Sequence, residues 1–220
     1  AGRSARRAGE GLRTRRAMGA VGKSFRHAIE LDSSRSMSHI GFAMNLLLVL
    51  GRIEETLREL RAAEKADPLS PIIHWHLAVV LIVSGRYNEA ADHCQKLPAD
   101  YENKSQCLGR ARLGEGRTGE AIQLLATSVR PVDRAYLGYA YARAGRREEA
   151  EQLAAALPNP GQQALIFAGL GDKDRTFEAL GRMAVQGPVR IGRELTYPEL
   201  ALLRGDPRLK ALRKKVGLPE

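Results

Sequence analysis

Apolar residues along this chain recur in short blocks at helical spacing, and a glycine cuts the blocks apart. Ahead of Gly85 the series Ile72, Trp75, Val79 and Ile82 marks one face of a helix, and beyond Gly51 the series Ile53, Leu57 and Leu60 marks another. The pattern predicts pairs of short helices joined by tight polar turns. Unbranched Ala, Leu, Arg and Glu dominate the composition, which agrees with helix, since such side chains lose little rotamer freedom there.

The turns repeat. LGRIEETLREL from Leu50, SGRYNEAADHC from Ser84, EGRTGEAIQLL from Glu115, AGRREEAEQLA from Ala144 and LGDKDRTFEAL from Leu170 align on Gly51, Gly85, Gly116, Gly145 and Gly171. Arg follows the first four glycines, and Glu stands four residues after each, at Glu55, Glu89, Glu120 and Glu149. A small residue comes next, at Thr56, Ala90, Ala121 and Ala150. Glycine can end a first helix in the left-handed conformation, and a small residue lets a second helix pack closely on the first. The glycines are 34, 31, 29 and 26 residues apart, so later units lose residues where one hairpin joins the next.

These units resemble the tetratricopeptide repeat, whose pattern is W-x2-L-G-x2-Y, then A-x3-F, then P. Leu137, Gly138, Tyr141 and Ala150 carry it in the unit from Pro131. His74, Leu77, Ala78, Leu81, Ala90 and Cys94 carry it from Pro71, and Ile40, Ala43, Met44, Leu47, Thr56, Leu60 and Pro68 from Met37. Near Glu102, Leu108 and Gly109 precede Ala121 and Leu125, with Arg112 in place of the Tyr. The resemblance implies an all-α right-handed superhelix, an α-solenoid of five to six hairpins. It divides the chain into a basic, flexible segment 1–18, a repeat array 19–185, and a linker with a capping helix over 186–220. It also looks similar to the repeat arrays of bacterial regulators attached to a CadC-like winged-helix domain or a Ser/Thr protein kinase. A regulatory or scaffold role in a larger signalling or transcription-regulating protein is what that likeness implies.

In the family, the fifth, ninth and thirteenth residues of each unit face a concave groove. Carried onto this chain, these are Asn45, Trp75, Val79, Gln106, Arg110, Tyr139 and Arg143, apolar at one end and cationic at the other. Members that clamp a C-terminal carboxylate use Lys and Asn in the first unit and Asn in the second. Here Asn45 stands, but Gly41 and Val79 replace the others, so that ligand class is not expected. The helix from Pro71 to Ser84 is apolar nearly all round, which predicts that neighbouring helices cover it, with a hydrophobic partner segment as the alternative.

Charge changes the picture little. The net +10 of the 220 residues sits at the two ends, +6 in the first thirty and +4 in the last twenty, while the body is neutral. Nucleic acid is therefore not the expected partner, because a binding footprint would array basic groups along one folded face. The longest unbroken apolar run, Leu77 to Val83, is too short to span a bilayer. A cytoplasmic address is favoured, or a periplasmic one if a parent protein is membrane-anchored. Cys94 and Cys107 read as plain buried thiols, with pairing expected only in an oxidising compartment.

Candidate chemistry is sparse. Gly22, Lys23 and Ser24 end a phosphate-loop signature, but Ala17 stands where its first Gly belongs and no strand precedes it. FRHAIELD instead matches the end of a second helix, with Phe25 and Ala28 at packing positions and Ser33 in the place of the closing Pro. His74 and His76 are two residues apart, which points them to opposite sides of a helix. His27, His39 and His93 lack an acid or Cys at ligand spacing. No catalytic residue, metal ligand or cofactor is expected. Asp206 and Pro207 predict the start of an amphipathic helix with Leu209, Leu212 and Val216 on one face. The expected function is capture of a protein or peptide segment in the groove. Nucleic-acid binding through the basic ends and dimerisation through the Pro71 helix are the alternatives.

Overall fold

A computed structural model describes residues 19–32 and 34–219; the basic segment 1–18, Ser33 and Glu220 lie outside the described residues. Helix α1 covers 19–31, so Gly22, Lys23 and Ser24 lie inside a helix. Five hairpins follow. The first pairs α2 (Ser36–Phe42), continued by a wide π-turn over Ala43–Leu47, with α3 (Ile53–Ala66). The others pair α4 (Pro71–Val83) with α5 (Tyr87–Gln95), α6 (Lys104–Gly114) with α7 (Thr118–Ala126), α8 (Pro131–Arg143) with α9 (Arg147–Ala156), and α10 (Pro160–Gly169) with α11 (Lys173–Met183). No strand occurs among the described residues.

One turn chemistry makes all five hairpins. At Gly85 the backbone adopts φ +78°, and the Arg86 N–H then reaches back to the Leu81 carbonyl at 2.9 Å. This bond satisfies a carbonyl that the end of the helix would otherwise leave open. The residue after Gly51, Gly116, Gly145 and Gly171 makes the same bond, to Leu47, Arg112, Tyr141 and Phe167. The Arg of each G-R-x-x-E turn pairs with its Glu, as in Arg86 Nε to Glu89 Oε1 at 2.6 Å and Arg117 Nε to Glu120 Oε1 at 2.7 Å. Such exposed pairs add less than about 1 kcal/mol each, but they also set a carboxylate on the positive end of the second helix. Thr56, Ala90, Ala121 and Ala150 are fully buried, as their small size predicts. At Gly138, the signature glycine of α8, an added Cβ would lie 2.6 Å from Ile166 Cδ1 on α10, so the glycine makes room for the Ile166 side chain between successive first helices.

Two features depart from the sequence reading. Cys94 on α5 and Cys107 on α6 form a disulfide rather than remaining thiols, tying the second hairpin to the third. The larger departure is the end of the chain. Instead of a linker, residues 188–203 fold into α12 (Pro188–Glu194) and a 3-10 helix (Pro198–Leu203), and α13 (Pro207–Lys215) follows with the Asp206 side chain accepting from the Arg208 N–H. Val49 of the first hairpin shares one apolar cluster with Leu180 and Met183 of α11, Ile191 of α12, and Leu212, Val216 and Leu218. An added Cβ at Gly192 would sit 2.6 Å from Val49 and 3.1 Å from Leu218. The last elements therefore pack on the first hairpin as well as on the last, and the array is closed on itself.

Candidate functional site

The closing segment, here called the strap (residues 188–203), lies along the row of first helices, where the sequence places the groove. Its principal anchor is Arg110 of α6. The guanidinium pairs bidentately with Glu199, Nε to Oε1 at 2.9 Å and Nη2 to Oε2 at 3.3 Å, with both side chains buried. It also stacks between two rings, with Cζ 4.6 Å from the centroids of both Tyr136 on α8 and Tyr197 on the strap. A planar guanidinium suits such a slot because it offers two parallel donors in its plane and a weakly hydrated face to each ring. Burial works against the Arg110 cation, but the Glu199 carboxylate together with the Tyr136 and Tyr197 oxygens more than offsets it and holds its pKa above the ordinary value. Burial also pushes Tyr197 up to about 12 and Tyr136 well above its usual range, so both phenols stay protonated at neutral pH.

A second anchor lies at the other end of the strap. Arg193 of α12 donates from Nη2 to the Met44 carbonyl at 3.2 Å and to Asn45 Oδ1 at 3.1 Å. The π-turn of the first hairpin contains Asn45, and the Leu48 N–H there bonds to the Ala43 carbonyl at 2.9 Å. Near Arg193, His76 of α4 is half-buried. Its Nδ1 and the Arg193 Nε have no hydrogen-bond partner among the described residues. Burial, and secondarily the Arg193 charge, lower the His76 pKa to about 4.

These contacts assign a place to each expected groove residue. Asn45 and Arg110 are engaged by the chain's own strap, through Arg193 and Glu199. The cationic end expected of the groove is thus reduced, because Glu199 neutralises Arg110. Val79 and Gln106 are buried, and Trp75 is half-buried against the core of the first hairpins, which also packs Tyr197. The apolar Pro71 helix is covered by its own chain, with Val79 and Ile82 at 3% and 1% exposure. Tyr139 and Arg143 remain at a cleft of about 360 Å³, lined also by Ile82, Tyr87, Leu113 and Pro198. Arg143 is exposed there, and burial pushes the Tyr139 phenol up to about 12.

Sequence spacing did not reveal one further cluster. His74 Nδ1 and His93 Nδ1 lie 3.2 Å apart, and Glu64 Oε1 is 3.6 and 3.8 Å from them. The residues come from α4, α5 and α3, so only tertiary packing brings them together. Periodicity within one helix carries no trace of them.

The fold and this face define an all-helical array of hairpin repeats closed by its own C-terminal strap. Residues 44–104, from the first hairpin through the second, match the family model described as tetratricopeptide repeat. Among solved structures, the chain is similar to a Pseudomonas aeruginosa protein described as pilF, at 17% identity and TM-score 0.55, covering 89% of this chain and 98% of that one. It is also similar to YrrB, described as a TPR protein with an unusual peptide-binding site, at 22% identity and TM-score 0.48, covering 86% and 98%. Among curated proteins, none matches the chain.

Proposed function

We propose that this chain is a non-catalytic binding module that captures an acid-bearing protein or peptide segment on its first-helix face. One observation carries the reading: that face already grips such a segment, with Glu199 of the strap held in the Arg110 slot between two tyrosine rings. An aromatic-walled cation facing inward is the chemistry that recognises a carboxylate. One hairpin further along, Tyr139 and Arg143 offer a second ring and a second guanidinium at an open cleft. A partner would place an acidic side chain on Arg143 and an apolar one against Tyr87, Leu113 and Ile82, while Arg110 keeps the strap seated. None of the basic residues of α13 lines this cleft, which favours a protein partner over nucleic acid.

The array fits the regulatory or scaffold portion of a larger bacterial signalling protein, as its resemblance implies. The buried disulfide favours an oxidising compartment over the cytoplasm, where thiols are kept reduced. A displayed random-peptide library tests the reading. The intact chain is expected to enrich acidic peptides, and Arg143→Glu and Tyr139→Ala to lose them with helicity unchanged. Equal enrichment by Arg143→Glu would rule the cleft out.

A further inference from the structure

The cluster of Glu64, His74 and His93 is unused by the peptide-binding reading. Glu64 lies near the end of α3, His74 in the first turn of α4 and His93 near the end of α5, so the cluster joins the second helix of one hairpin to both helices of the next. The two Nδ1 atoms and the Oε1 atom face one another at 3.2, 3.6 and 3.8 Å. For a tetrahedral ion with bonds of about 2.0–2.1 Å, donor atoms stand about 3.3 Å apart. The two imidazoles are within hydrogen-bond reach of each other, whereas the two Glu64 distances are too long for hydrogen bonds. An ion among the three atoms would link all of them. The same helix shows what direct pairing looks like: Glu59 Oε2 and His39 Nδ1 are 2.7 Å apart.

We propose that Glu64, His74 and His93 bind one divalent ion of the zinc type, through the carboxylate and both Nδ1 atoms, with water in the fourth position. Two neutral imidazoles and one carboxylate suit zinc. Calcium and magnesium call for six or more oxygens, and a cuprous ion for thiolates, whereas the adjacent Cys94 is committed to its disulfide. The site is sheltered but reachable, with the His74, His93 and Glu64 side chains at 6%, 16% and 27% exposure. Lys96 Nζ, 3.9 Å from Glu64 Oε1, is the competing cation. Its side chain is half exposed on a flexible stem, so it can swing into solvent when an ion enters. Bound metal would fix the angle between the first two hairpins, as the neighbouring disulfide fixes the second to the third.

The test uses the full chain, free of any affinity tag and without reductant, so that both cysteines stay paired. Calorimetric titration with zinc is expected to show one equivalent bound and a raised melting temperature, and cobalt to give the intense visible bands of a tetrahedral site. His93→Gln and Glu64→Gln should each weaken binding at least about 100-fold, the upper end of what losing a mere outer partner costs, while His27→Gln leaves it unchanged. Absence of one-to-one binding at micromolar zinc, or undiminished binding by both cluster variants, overturns the proposal. Should those variants fail to fold, X-ray absorption of the wild-type zinc complex decides. Two imidazoles with oxygen support the site, and sulfur or oxygen alone overturns it.

Discussion

The repeat array and the strap hold their shapes by opposite means. Each hairpin of the array is closed by contacts a few residues apart, such as the Arg86 bond to Leu81 and the Arg86 pair with Glu89, and each packs mainly on its neighbours. The strap has local helical bonds too, but its polar side chains are anchored at long range. Its anchors reach 89 residues back to Arg110 and 148 back to Asn45. The difference teaches where single changes will hurt. Local bonds are individually weak and many, whereas the strap's polar anchoring, beside its apolar packing, rests on a few buried groups.

Replacing Glu199 with Ala should break this comparison most sharply. It leaves the Arg110 cation buried without a counter-charge, at a cost of about 3–5 kcal/mol, read as a fall in the denaturation midpoint. The double change Arg110→Met with Glu199→Leu should recover most of that loss, because an apolar pair of similar volume avoids the stranded charge.

Acid should act on the strap side next. His76, beside Arg193, has its folded pKa lowered to about 4 from the ordinary 6.5. Between those values the unfolded chain takes up a proton that the folded chain refuses. Stability should therefore fall as pH drops from 6.5 to 4, by on the order of 3 kcal/mol, and level off below. The slope should shrink in His76→Gln, measured by denaturant melts across that window.

Within the array, Cys94→Ser with Cys107→Ser opens a loop with a sequence separation of 13. Loop-closure entropy puts the loss at about 3 kcal/mol, and hydrogen exchange should show it confined to α5 and α6. The smallest effect belongs to the repeated turns. Arg146→Ala removes one exposed pair with Glu149 and should cost less than about 1 kcal/mol, leaving strap protection untouched. A loss as large as that of Glu199→Ala would erase the distinction between the regions.

The array was legible in the sequence because its determinants are short-range and repeated. Gly51, Gly85, Gly116, Gly145 and Gly171 each have positive φ, as their common setting predicts. The strap was not legible, because nothing in PVRIGRELTYPEL names its partners. Glu199 and Arg193 resemble any charged residue until Arg110 and Asn45 are placed opposite them. The groove residues were expected from the same local pattern, and that pattern could not show that the chain's own strap engages Asn45 and Arg110. Cys94 and Cys107, and Glu64 with His74 and His93, share that limit, since each set is assembled across helices.

Closure has a consequence for how such an architecture can change. An open stack grows or shrinks by duplicating or deleting a unit, since each layer needs only the ones beside it. Here Ile191 and Leu218 must still reach Val49 across five hairpins, so one inserted hairpin would pull the tail off the first. The number of units is thereby counted by the chain itself, and variation is left to the residues that line the cleft.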